Sequence, residues 1–187
     1  GLQKALKIKG VPSLLIGFFA YCAAEATVML WASSYLSETK GLSEKTAAAY
    51  ASLFFIGITA GRFISGFVSA RLGDRNMIRI GVAVALSGVL LVLLPVNAQM
   101  PALAGFVVIG LGCAPVYPSI IHATPSNFGA ENSQAIIGIQ MASAYVGSTF
   151  MPPVFGLIAN HLSIRLMPFY IAMFFVLMII MTDKTFA

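Results

Sequence analysis

Apolar residues occupy this chain in long blocks separated by short polar clusters. The blocks fall at positions 11–35, 46–72, 77–94, 101–123, 133–159 and 166–181. None shows the ten-residue alternating segments of a closed β-barrel. A hydrocarbon core about 30 Å thick needs roughly 20 helical residues, and each block can cross it. The pattern predicts an all-α integral membrane protein with six transmembrane helices, here spans 1 to 6. Span 1 is too long, and too rich in internal polar atoms, for a cleaved signal peptide.

Composition agrees. Of 187 residues, 59% are hydrophobic and only 9% charged, and the mean hydropathy is +0.92. Soluble domains carry about 25% charged residues, so the apolar excess must face lipid. Cys22 and Cys113 both lie inside apolar blocks, form no CxxC pair and say little about redox compartment. The net charge of +5 belongs to basic loops at the membrane edge. No basic residues interleave with aromatics on a polar face, so no nucleic-acid partner is expected.

The basic residues also orient the spans. Lys4, Lys7, Lys9, Arg71, Arg75, Arg79 and Lys184 fall on one side, and Lys40, Lys45 and Arg165 on the other, with Arg62 inside span 2. Both termini are therefore expected in the cytoplasm, with the chain a multi-pass protein of the cell (inner or plasma) membrane. Residues 1–10 read as the end of a cytoplasmic linker, 11–182 as the membrane domain and 183–187 as a cytoplasmic tail. A chain that opens on Gly1 with this basic segment is expected to be a piece of a longer protein.

Sliding the sequence by 86 positions lays spans 2 and 3 on spans 5 and 6. Gly61 then meets Gly147, Val68 meets Val154, Ala70 meets Gly156, and Ile78-Arg79 meets Ile164-Arg165. Span 2 runs inward and span 5 outward, so two copies at about 11–95 and 101–182 form a 3+3 inverted repeat. That plan is common to the halves of secondary transporters.

Three further segments carry a resemblance. Gly61-Arg62-Phe63-Ile64-Ser65-Gly66-Phe67-Val68-Ser69-Ala70-Arg71-Leu72-Gly73-Asp74-Arg75 resembles the loop signature between the second and third helices of each half of the major facilitator superfamily. Phe18 to Glu25, Gly61-Arg62-Phe63 and Tyr117-Pro118-Ser119-Ile120-Ile121 together resemble the C-terminal half of its fucose and glucose permease branch. The resemblance covers nearly the whole chain and implies a missing N-terminal six-helix half. It also implies that Arg62, Gly66, Arg71, Asp74 and Arg75 serve gating or the loop motif. At Ala70 the superfamily usually has an aspartate, which weakens a charge-relay latch here. In this branch the better-known proton-coupling carboxylates lie in the other half.

Glu25 is the only carboxylate inside a span, about 21 Å from the start of span 1 at 1.5 Å per residue. A charge at a helix centre costs about 2.5–3.5 kcal/mol on insertion scales, and such groups face a polar cavity, a partner or a proton path. The alternative is a neutral glutamate making one interhelical hydrogen bond. Arg62 lies about 9 Å away along the axis, so a direct ion pair would be strained, and snorkelling or carbonyl bonding is favoured. Pro115 and Pro118 remove two backbone donors and break span 4 around Tyr117, for a cavity or for packing alone. Tyr21, Tyr117, Gln140, Tyr145 and Trp31 join Glu25 as candidate substrate-binding residues. Gln140 and Tyr145 differ by about 140° around the helix, so they do not share one cavity face. Trp31 fits an interfacial belt, with capping of the cavity as the other reading. Gly57-xxx-Gly61 and Gly66-xxx-Ala70 form a small-residue stripe for close packing.

The expected function is half of a secondary active transporter for a small polar solute, sugar-like, driven by an ion gradient such as protons. The alternative is a stand-alone six-helix half that pairs with a second copy of itself, as a homodimeric carrier or a non-transporting membrane module. A membrane protease reading fails, because Ser65, His122 and His161 lie at different depths and no HExxH or glycine-flanked nucleophile is present. No cofactor or metal is implied.

Overall fold

In lipid every backbone N–H and C=O must find a partner inside its own segment, and the apolar blocks meet that demand as helices. The computed structural model describes residues 2–94 and 99–185. Gly1 of the expected linker, Pro95 at the end of the first repeat, and Phe186 and Ala187 of the expected tail lie outside the described residues. The helices are α1 (Leu2–Leu6), α2 (Val11–Lys40), α3 (Glu44–Ala51), α4 (Leu53–Leu93), α5 (Met100–Cys113), α6 (Val116–Phe128), α7 (Ala130–His161) and α8 (Met167–Thr185).

Span 1 ends at Lys40, where Gly41 takes the left-handed conformation with φ 69°. Glycine adopts it without strain. Span 4 divides into α5 and α6, with Pro115 capping the second piece. Span 2 opens in α3 and continues, past Ser52, with span 3 in α4, whose helical run is interrupted at Gly73 (φ 79°, ψ 162°). Counted as joined helical runs, the described residues contain five segments long and apolar enough to cross a membrane rather than six.

The six crossings return at Gly73. A straight α4 would hold Gly57 and Gly88 about 46 Å apart, yet both pack against the same turns of α5. A Cβ on Gly57 would lie 3.1 Å from Gly110 Cα, and one on Gly88 would lie 2.7 Å from Ile109 N. Farther along, Gly61 meets Leu111 and Ala114, while Gly81 meets Gly112, Pro115 and Val116. The arm 53–72 therefore runs parallel to α5, and the arm 74–93 antiparallel.

The same arrangement recurs elsewhere. Ser143 donates to the Leu15 carbonyl at 2.8 Å, Gly147 packs on Phe19 and Ala23, and Trp31 donates to the Pro152 carbonyl. So α7 runs parallel to α2. Gly17 meets Met178, Met181 and Thr182, and Gly10 meets Thr185, so α8 runs antiparallel to α2. Across the middle, Tyr35 meets Phe106 edge-on, Tyr21 bonds Cys113 and Phe18 touches Tyr117. That descending order sets α2 antiparallel to α5 and α6. Two three-helix groups of opposite direction result, which is a 3+3 inverted repeat. In each, the opening helix of one repeat packs on the last two helices of the other.

Most close contacts are backbone against backbone, because glycines line both sides of α5. Gly57 and Gly61 use the predicted stripe. Gly66 does not: nothing lies within 4 Å of where its Cβ would be, so that part of the stripe faces outward. At one end of the bundle the segment after the Gly73 turn meets α6 and the last turn of α8. Arg79 Nε lies 3.0 Å and Arg75 Nε 3.9 Å from Asp183 Oδ1, and Asp74 Oδ2 lies 2.7 Å from His122 Nδ1.

Candidate functional site

Three helices drawn from both groups converge halfway along the bundle. α2 contributes Tyr21, Cys22, Glu25, Ala26 and Met29, α6 contributes Tyr117, and α7 contributes Met141, Ala144, Tyr145 and Ser148. They line an open cavity of about 220 Å³. Tyr21 and Glu25 stand one turn apart on the same face of α2, since residues four apart are neighbours.

Tyr21 organises this wall. Its ring is only 1% exposed, and its hydroxyl donates to Glu25 Oε2. The Tyr21 hydroxyl oxygen also lies 3.2 Å from the carbonyl of Cys113, the last residue of α5. The break there follows from proline chemistry. Pro115 and Pro118 have no N–H to give to the carbonyls of Leu111 and Ala114. The bonds that remain across the junction are Ala114 N–H to Gly110 and Ser119 N–H to Pro115, both 3.1 Å. Tyr117, just past the break, packs its ring on Phe18 at 5.3 Å. Its hydroxyl lies 3.4 Å from Met141 Sδ. Tyr145, 70% exposed, stands at the open side.

Of the predicted substrate contacts, Tyr21, Glu25, Tyr117 and Tyr145 come together here. Gln140 does not. It is fully buried between α6 and α7, with Oε1 accepting from Thr124 at 3.0 Å and Nε2 without a partner among the described residues. Trp31 is also elsewhere: its indole N–H donates to the Pro152 carbonyl at 3.0 Å and its ring meets Phe155 edge-on. Arg62 is exposed on α4, within electrostatic range of Glu25. Among the described residues no ion pair joins them.

Sequence reasoning missed Cys22, Ala26, Met29, Met141, Ala144 and Ser148. Positions 141, 144, 145 and 148 repeat at helical spacing, and that periodicity is the signal that could have found them. A second cavity, about 470 Å³, lies at the basic end beside Ser69, Ala70, Asp74, Pro118, Ser119 and His122. Ala70 leaves space there where the loop signature usually has a carboxylate. Among the described residues no three His, Cys, Asp or Glu side chains gather as a metal would need.

Since Trp31 touches α7 rather than the cavity, Trp31→Phe is expected to lower thermal stability and to change solute affinity less than twofold. The lost hydrogen bond is worth about 0.6 kcal/mol in a membrane bundle. A thermal melt and a binding isotherm on the same preparation check both halves of that statement.

A family model described as Major Facilitator Superfamily matches residues 14–182. An uncharacterised transporter of Sinorhizobium fredii is 28% identical over 162 residues, which are 86% of this chain and 42% of that protein. The fucose:proton symporter FucP of E. coli superposes with a TM-score of 0.83 at 16% identity, covering 98% of this chain and 44% of FucP. A peptide transporter bound to alafosfalin superposes with a TM-score of 0.82 at 18% identity, covering 94% of this chain and 38% of the other. The chain thus spans less than half the length of the proteins it matches.

Proposed function

This chain belongs to the major facilitator superfamily, and from that premise we propose that it is the C-terminal half of a secondary active transporter for a small polar solute. The solute is a sugar, its movement is coupled to an ion gradient, and the gradient is one of protons. The open side of the cavity faces the six-helix half that completes the passage, and the two halves rock to expose it alternately to each side. The ends that gather the Gly73 turn and both termini are cytoplasmic, by the excess of basic residues there.

One observation carries this reading: a hydrogen-bonded Tyr21–Glu25 pair on the wall of an open cavity in the middle of the bundle. An ionisable group at that depth is tolerable where it borders water, a partner or a substrate. Around it stand the aromatic faces of Tyr117 and Tyr145 and the hydroxyl of Ser148. Flat rings beside polar hydrogen-bonding groups suit a hydroxylated ring. The resemblance to the fucose and glucose permease branch favours a sugar over a peptide, although both kinds of transporter share the fold.

Full-length protein in proteoliposomes tests the proposal. An inward proton gradient is expected to drive uptake of at least one hexose or deoxyhexose from a panel, with alkalinisation outside. Uptake of dipeptides and of no sugar would overturn the sugar assignment, and sugar uptake indifferent to the gradient would overturn the coupling.

A further inference from the structure

We propose that Tyr21 is a positioning residue that transmits the protonation state of Glu25 to the break between α5 and α6. The inference rests on the transporter reading for its purpose, and on the geometry of three groups for its substance. A tyrosine hydroxyl has one proton to donate. Here it stands between two acceptors, Glu25 Oε2 on its own helix and the Cys113 carbonyl on α5, 3.2 Å away. It cannot serve both as a donor at once.

The two protonation states of Glu25 make opposite demands. A neutral carboxyl donates its own proton to the Tyr21 oxygen, and Tyr21 then donates to the Cys113 carbonyl. An ionised carboxylate only accepts, and charge-assisted hydrogen bonds are about twice as strong as neutral ones. It draws the Tyr21 proton to itself and leaves the Cys113 carbonyl without that donor. Cys113 is the residue whose carbonyl would accept from Tyr117 N–H in an unbroken helix, where bonding runs four residues back. With Tyr21 withdrawn, that N–H is the donor at hand, and the turn around Tyr117 tightens. One proton taken up or released at Glu25 through the cavity thus moves one hydrogen bond at the break, and the Tyr117 ring moves with it.

The location favours such a switch. Pro115 and Pro118 have already removed the neighbouring backbone bonds, so the junction has little else to hold it in one form. Tyr21 is fully enclosed and its ring cannot wander, since Phe18 stacks beside it at 6.5 Å. The other titratable or charged groups that face Glu25 are Cys22 on α2, Cys113 on α5, Tyr117 on α6, Tyr145 on α7 and Arg62 on α4. Of these only Arg62 is a basic side chain.

Hydrogen exchange at the Tyr117 amide, read without solute on the full-length protein and corrected for the intrinsic pH dependence of exchange, tests the relay. In the wild type the amide is expected to become about fivefold more protected as pH rises, the factor one net hydrogen bond is worth. Tyr21→Phe removes the proton in dispute and should hold the amide at the protected level at every pH. Glu25→Gln imitates the neutral carboxyl and should hold it at the exposed level. A wild-type amide indifferent to pH, or variants that still follow the wild-type curve, would overturn the relay and leave the transport proposal standing. A pH-dependent amide in a protein that moves no solute would do the reverse. A merely structural Tyr21 predicts the same loss of protection in both variants, with no separation into two levels.

Discussion

Glu25→Gln in the full-length protein lowers solute affinity by about 10- to 150-fold. The substitution keeps the size of the side chain and its bond to Tyr21, so the bundle assembles. What it removes is a charged acceptor facing the cavity, and a hydrogen bond to a charged group is worth about 1.5–3 kcal/mol, with every 1.4 kcal/mol a factor of ten. Equilibrium binding measures the affinity term. Comparing gradient-driven accumulation with solute counterflow separates the two roles open to this carboxyl. Accumulation lost with counterflow kept assigns it the coupling proton. Both weakened in proportion assign it to the solute, with coupling carried by the other half. Wild-type binding together with wild-type uptake would remove Glu25 from the site.

Gly112→Ala is expected to destabilise the bundle more than any alanine substitution in the cavity. A Cβ at this position would run into Ala85 N and the Gly81 carbonyl, and would lie 2.8 Å from Ala85 Cα. All three are backbone atoms of the arm 74–93, so no side chain can turn aside to make room. The helices must separate, and overpacking of this kind costs about 1–3 kcal/mol, more for Gly112→Val. Because α5 is held between both arms of α4, the displacement reaches Gly57 and Gly61 on the other side. Gly138→Ala provides the contrast. Nothing lies within 4 Å of its Cβ position, so the change is neutral or raises stability by about 0.5–1 kcal/mol through helix propensity. Thermal melts of the two variants rank them. A Gly112→Ala protein as stable as Gly138→Ala would mean that α5 does not pack so closely on α4.

How far these features could be read without coordinates depends on where their physical cause lies. The six crossings follow from lipid solvation of apolar blocks, a local property, and they are visible in hydropathy alone. The boundary between spans 2 and 3 is legible too, in the polar run Gly73-Asp74-Arg75-Asn76, although helix continues on both sides of Gly73. That the reversal takes place at one residue, without a loop, is what only the structure shows. The 86-residue offset was legible, and Gly61 and Gly147 hold corresponding contacts, since glycine at a close approach is a requirement that sequence records directly. The outward-facing Gly66 shows the limit of that logic: a small residue permits close approach but does not reveal which surface makes it.

The same division runs through the site. Residue chemistry and depth singled out Glu25, and proline singled out the break in span 4, because an ionisable group and a missing N–H in hydrocarbon are costly wherever the rest of the chain lies. Helical phase also separated Gln140 from Tyr145 before any contact was known. That Gln140 turns to Thr124, that Trp31 turns to Pro152, and that Met141, Ala144 and Ser148 join the wall depended on which helices are neighbours. Neighbourhood is long-range, with α2 separated from α6 and α7 by many tens of residues in the chain. The meeting of Tyr21 with the Cys113 carbonyl is the extreme case, for every residue has a carbonyl and only packing selects one. Composition and periodicity therefore determined what must cross the membrane and which groups could not be there idly, whereas the tertiary structure alone decided which of them touch.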